Sequence, residues 1–94
     1  MKQKNIEELL EFPYDDNSSE EYNSETFFTK YGDKKLDTTS KKQILILMEE
    51  ISNKLNLDDP YSIKRLEVAI HNDIPFFAVN RKLIRNWLLQ NFIY

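Results

Sequence analysis

An all-α fold, an antiparallel up-and-down bundle of four helices with an extra short one at the N-terminus as a variant, is the architecture this sequence predicts. Three observations predict it. Apolar residues recur at helical spacing, most plainly at Ile44, Leu47, Met48, Ile51 and Leu55, a stripe that buries one face of a helix. Gly32 is the only glycine and there are three prolines in 94 residues, too few turn formers for an all-β domain. There is no cysteine, so no disulfide staples a loop-rich fold and apolar packing must hold the chain together. Helices joined by short loops pack antiparallel by default, and the length suits one helical domain over residues 1–94.

The first element reads as a short helix over 5–12. Asn5 can cap it, Glu8 stands three residues later, and Pro13 ends it; Ile6, Leu9 and Leu10 share one face. Residues 13–38 read as an acidic, loosely ordered segment within the domain. Its start, Tyr14 to Asn23, admits two readings. One is a solvated linker. The other starts a helix at Ser18, whose spacing to Glu21 is that of a capping box. That helix runs through Phe27, Phe28 and Tyr31, which reach the core, and stops at Gly32 as its C′ residue.

The helix over 39–57 carries the Ile44-to-Leu55 stripe, with Asp37, Thr38 and Thr39 as N-cap candidates. Asp59-Pro60 opens the next, a capping acid followed by proline at the first helical position. Ile63, Leu66 and Ile70 are its stripe, and Ile74-Pro75 closes it, because a residue before proline avoids the helical region. The last helix reads from 77 to 92. Val79, Leu83, Ile84, Trp87 and Leu88 point to the core in this reading, which leaves Arg81, Lys82 and Arg85 outward. The expected core also takes in Leu9.

Charge is divided along the chain. From Glu7 to Asp33 there are nine acidic residues and one basic, Lys30; from Lys34 to Tyr94 there are ten basic and seven acidic. A net charge of −3 makes a poor nucleic-acid binder, since the phosphate backbone rewards positive charge. From the polar start and the absence of any long apolar run, neither a secretory signal nor a membrane span is expected. A cytoplasmic location is the expectation from these features and the missing cysteines.

The pattern of a catalytic site is missing. His71 is the only histidine, and its helix neighbours Glu67 and Asn72 offer no nucleophile arrangement. It reads as a partly exposed histidine near the negative end of a helix dipole. Neighbouring acids such as Glu49-Glu50 point in different directions on a helix. One glycine cannot build a phosphate loop, and no metal-ligand spacing occurs. A non-enzyme without cofactor or metal is the expectation. The helix–turn–helix from Ser62 to Leu88 could be weighed as a DNA reader, but its turn, with Ile74, Pro75, Phe76 and Phe77, is bulky and the acidic front opposes it.

Arg81, Lys82 and Arg85 are followed by Leu89, Phe92, Ile93 and Tyr94. A basic helix with aromatics beside it suits a partner surface or the edge of a membrane protein. The plainer alternatives are a solvated basic face and an apolar end that folds over the bundle.

The stretch PYSIKRLEVAIHNDIPFFAVNRKLIRNWLLQNFIY resembles the C-terminal half of small bacteriocin immunity proteins of the enterocin A and lactococcin A type. IPFFAVNRKLIRNWL is similar to the turn and opening of their last helix, RLEVAIHND to the end of the helix before it, and MKQKNIEELL to their lysine-rich start. The acidic stretch from Asp15 to Glu25 departs from their continuous early helix. The resemblance implies a cytoplasmic four-helix bundle that protects a bacterium from a class II pore-forming peptide. It implies a partner as well: the mannose phosphotransferase permease loaded with that peptide, engaged from inside, in peripheral contact with the inner face of the membrane. A monomer is expected, with Arg81, Lys82, Arg85, Leu89, Phe92, Ile93 and Tyr94 as the contact residues. The alternative function is a small acidic inhibitor or regulator, of phage origin for example, whose Glu7-to-Asp33 face covers a basic protein. A DNA-binding regulator is the third.

Overall fold

A computed structural model of the chain describes residues 6–15 and 24–92. It contains α1 (Ile6–Leu9), α2 (Ser24–Phe28), α3 (Lys41–Lys54), α4 (Pro60–Asn72) and α5 (Arg81–Asn91). No strand occurs among the described residues. Asp15 and Ser40 form one isolated parallel bridge, in which Asp15 N–H donates to the Thr39 carbonyl at 2.7 Å and Lys41 N–H to the Asp15 carbonyl at 3.3 Å. The chain is therefore all-α, with a radius of gyration of 12.4 Å, close to the ~12 Å expected of a folded chain this long.

Each long helix is fixed by a local cap. Asp59 accepts Ser62 N–H at 2.9 Å and Pro60 follows at the first position, so α4 begins where the sequence places it. For α3 the cap is Ser40, whose Oγ accepts Gln43 N–H at 3.4 Å, and not Asp37, Thr38 or Thr39. Asp37 is already engaged, because its carboxylate accepts Thr39 N–H at 3.0 Å and Thr39 Oγ1–H at 2.6 Å. At the other end Asn56 adopts a left-handed φ of 57°, which asparagine tolerates better than most residues. Leu57 N–H then donates back to the Ser52 carbonyl at 2.8 Å and Leu57 turns inward, 2% exposed, an arrangement of the Schellman type.

Gly32 does not end a helix in that way. Its φ is not positive, and α2 has already ended at Phe28. Glycine is required there by close approach: a Cβ would collide with the Phe28 carbonyl oxygen and stand 3.2 Å from Lys82 Cβ. The backbone around Gly32 meets the start of α5. Lys82 N–H donates to the Gly32 carbonyl at 3.1 Å and Arg81 N–H to the Lys34 carbonyl at 3.0 Å. With Leu83 N–H donating to Asn80 Oδ1 at 2.9 Å, the first three amides of α5, unpartnered within the helix, are all satisfied. The expected helix from Ser18 has its start outside the described residues.

The elements expected at both chain ends are shorter in the structure. Among the described residues, α1 runs only from Ile6 to Leu9; the Asn5 cap lies outside them. The α5 helix starts at Arg81 rather than 77, because Asn80 caps it and residues 75–78 form a turn closed by Ala78 N–H to the Pro75 carbonyl at 3.0 Å.

The core joins Ile6, Phe27 and Phe28 to the stripes of α3 and α4 and to Ile84 and Leu88 of α5. Leu9, Leu55 and Trp87 pack half-buried at its edge. Within residues 13–38, Phe27 and Phe28 are 0% and 1% exposed, so α2 contributes two full-size side chains. Two expected core residues are outside. Val79 is 58% and Leu83 40% exposed, because Val79 precedes the helix and α5 is rolled about a quarter turn from the expected orientation. Its inward residues are Arg81, Ile84, Arg85 and Leu88.

Candidate functional site

That roll decides the fate of the expected contact residues. Arg81 is 4% exposed; its guanidinium lies 4.0 Å over the Phe27 ring, and its Nε donates to the Lys35 carbonyl at 3.3 Å. Arg85 is half-buried, with its guanidinium 5.0 Å over the Phe28 ring and Nη1 3.6 Å from a Glu50 carboxylate oxygen. An arginine packs its stem and its flat head against apolar groups, so an aromatic pair can draw it inward. Leu89 and Phe92 pack half-buried against the core. Ile93 and Tyr94 lie outside the described residues. Of the three cations only Lys82 is at the surface, 3.7 Å from Asp33. The outward basic face is thus not assembled: Arg81 is part of the interior and Arg85 is half-buried against it.

What the roll turns outward instead is apolar. Phe76 is 93% exposed and Phe77 61%, their rings 6.0 Å apart and edge to face. With Val79 and Leu83 they supply four of the exposed large apolar side chains within eight residues. The turn at Pro75–Ala78 holds the two rings forward, and the Asn80 cap fixes where Val79 and Leu83 stand. The pair Phe76-Phe77 was legible as bulk in a turn; that it points to water was not. Tyr61 and Val68 are also exposed, on the outer side of α4, where the Arg65 guanidinium lies 5.8 Å over the Tyr61 ring.

A second constellation is polar and inside. Glu67 on α4 is 1% exposed. Its Oε1 accepts Glu11 N–H at 2.9 Å, and its Oε2 accepts Phe12 N–H at 3.2 Å and the Tyr14 hydroxyl at 2.5 Å. The Tyr14 oxygen also lies 2.8 Å from His71 Nε2, one turn further along α4. Tyr14 has a single hydroxyl hydrogen, and Glu67 takes it, so His71 donates. The network thereby assigns the Nε2–H tautomer. Phe12 stacks on the imidazole at 4.0 Å with an interplanar angle of 9°.

These contacts set the proton affinities. Burial is the main cause that lifts the Tyr14 phenol well above its ordinary range, helped by its hydrogen bond to Glu67 and by that group's charge. His71 is moved the other way: desolvation lowers its pKa, against a smaller raising effect of Glu67. Chemically, a phenol held protonated is a poor nucleophile, and the carboxylate is occupied by three donors. The cluster ties the segment before α2 onto α4. Nothing in the spacing of Tyr14 to Glu67, 53 residues apart, signals this pairing.

The acidic front is partly answered by the chain itself. Glu7 pairs with Lys41 at 2.9 Å, Glu11 with Lys64 at 3.3 Å and Asp33 with Lys82. Among the described residues, no group of three histidine, aspartate or glutamate side chains is placed to hold a metal ion, and no helix is long and apolar enough to cross a membrane. The chain matches no family model, no curated protein and no solved structure.

Proposed function

We propose that this protein is a bacteriocin immunity protein. In this reading it acts without catalysis, from the cytoplasmic side, by binding a membrane permease that carries a class II pore-forming peptide. Its fold is an antiparallel four-helix plan in which α1 and α2 share the part of the first leg. The observation that carries the reading is the exposed corner of Phe76, Phe77, Val79 and Leu83. It lies within IPFFAVNRKLIRNWL, one of the two segments that carry the resemblance to the immunity family. Clustered exposed aromatics are a solubility cost that a binding role accounts for, and aromatic residues concentrate binding energy at interfaces. The contact surface is therefore this corner with Lys82 beside it, rather than Arg81 and Arg85. The pairing of Glu7, Glu11 and Asp33 with the chain's own lysines takes support from an acidic face that covers a basic partner.

The test is expression in a sensitive lactic acid bacterium, followed by challenge with a panel of class II bacteriocins. Protection against at least one peptide is expected, lost in the double variant Phe76→Ser with Phe77→Ser. Sensitivity to the whole panel in cells that accumulate the folded protein would contradict the reading.

A further inference from the structure

The hydrogen-bond donors gathered on Glu67 come from one place. Two are the consecutive amides of Glu11 and Phe12 and the third is the Tyr14 hydroxyl, so one buried side chain of α4 holds residues 11–14 of the segment. Asp15, just beyond, is bridged to Thr39 and Lys41 by two backbone hydrogen bonds and pins the end of the segment; ahead of it the attachment is lighter. Ile6 is buried and Leu9 and Leu10 half-buried; α1 is four residues long, too short to persist without packing; Glu7–Lys41 and Glu11–Lys64 are surface ion pairs, worth little. Removing Glu67's donors one by one leaves a buried carboxylate short of partners, which is costly. The donors therefore leave or stay together.

We propose that residues 6–14 form an arm that hinges at the Asp15 bridge and opens and closes as a unit, latched by Glu67 and released by acid through His71. The closed arm lays Phe12 flat on the imidazole and Tyr14 against its Nε2; the open arm returns the imidazole to water. Opening uncovers the parts of α3 and α4 against which α1 packs. This device stands on the geometry of the arm and does not depend on the immunity reading.

The direction of the pH effect follows from burial. With the arm closed the His71 pKa lies below its ordinary 6.5, and with the arm open it returns to that value. The closed state is therefore fully favoured above about pH 6.5 and loses ground as pH falls toward the lowered value, by up to about tenfold per pH unit. The charged groups around the imidazole do not mask this. Glu67 is the one whose charge acts on it, and it opposes the shift only in part. On the arm, Glu7 and Glu11 are matched by Lys41 of α3 and Lys64 of α4; Asp15 is exposed beyond Tyr14 and Asp73 beyond the end of α4.

Amide hydrogen exchange of the full chain, corrected for intrinsic rates, tests the proposal at pH 7 and pH 5. The amides of Glu11 and Phe12 are expected to lose protection at the lower pH, while those of Met48, Ile51 and Leu66 hold theirs. In His71→Gln, which keeps a donor but does not titrate, the loss should vanish. In Tyr14→Phe the arm amides should be less protected already at pH 7 with the core unchanged. Any one of three results overturns it: arm and core amides that exchange with one common protection factor, arm protection that is the same at both pH values, or a pH response that survives His71→Gln.

Discussion

The Tyr14–Glu67–His71 cluster and the Phe76–Phe77 corner break the ordinary distribution of residues in opposite senses. In the first, polar side chains are inside, with their donors and acceptors matched to one another. In the second, apolar side chains are outside, and the folded chain makes no use of their surface. Buried polar groups with full partnerships are explained by the fold itself, because they fasten distant segments. Exposed aromatics are not, and it is this kind of residue that calls for an explanation from outside the molecule. The two arginines of α5 are turned inward as well, but they are held by ring packing rather than by full hydrogen bonding. Although charged, Arg81 and Arg85 are packed on Phe27 and Phe28 and act as structure.

The largest expected effect sharpens that assignment. Arg81→Glu with Arg85→Glu would put acids under Phe27 and Phe28, with Glu50 already beside Arg85. Burying unpaired like charges costs several kcal/mol, enough to unfold a domain of this size, and thermal melting should show no cooperative transition. Ile51→Asp, at a site 0% exposed, should do the same. A double-arginine variant that melts like the wild type would return those residues to the surface.

Next in size is the clasp. Glu67→Leu removes the acceptor of Glu11 N–H, Phe12 N–H and the Tyr14 hydroxyl and should cost about 2–3 kcal/mol, read in denaturant unfolding. Gly32→Ala follows. Its methyl would meet the Phe28 carbonyl and the Lys82 side chain, and a loss of about 1–3 kcal/mol is expected from the overpacking. The smallest effect belongs to the corner: Phe76→Ser with Phe77→Ser should change stability by no more than about 0.5 kcal/mol, as exposed positions do.

What the sequence disclosed follows a physical boundary. The α4 start was legible because Asp59 and Pro60 act on their own neighbours, and the α3 stripe because Ile44, Leu47, Met48 and Ile51 repeat within one element. The cap at Ser40 lies one residue past the expected candidates, since the competing turn of Asp37 with Thr39 uses the same side-chain chemistry. Nor was the roll of α5 legible. Hydropathy sets Arg81 and Arg85 outside, and only the rings of Phe27 and Phe28, more than fifty positions earlier, bring them in. Glu67 was in view as a neighbour of His71 but not as the anchor of residues 11–14, because that contact depends on how α1 docks. Nothing local to Phe76 and Phe77 marks them as surface, since the expected roll of α5 puts the arginines there.

The central claim is that the exposed aromatic corner, and not the basic face of α5, is where this protein meets its partner. The most direct test is bacteriocin survival of sensitive cells that express Phe76→Ser with Phe77→Ser at wild-type level and with wild-type melting. Survival should fall to that of cells without the protein. Full protection by that variant would contradict the claim.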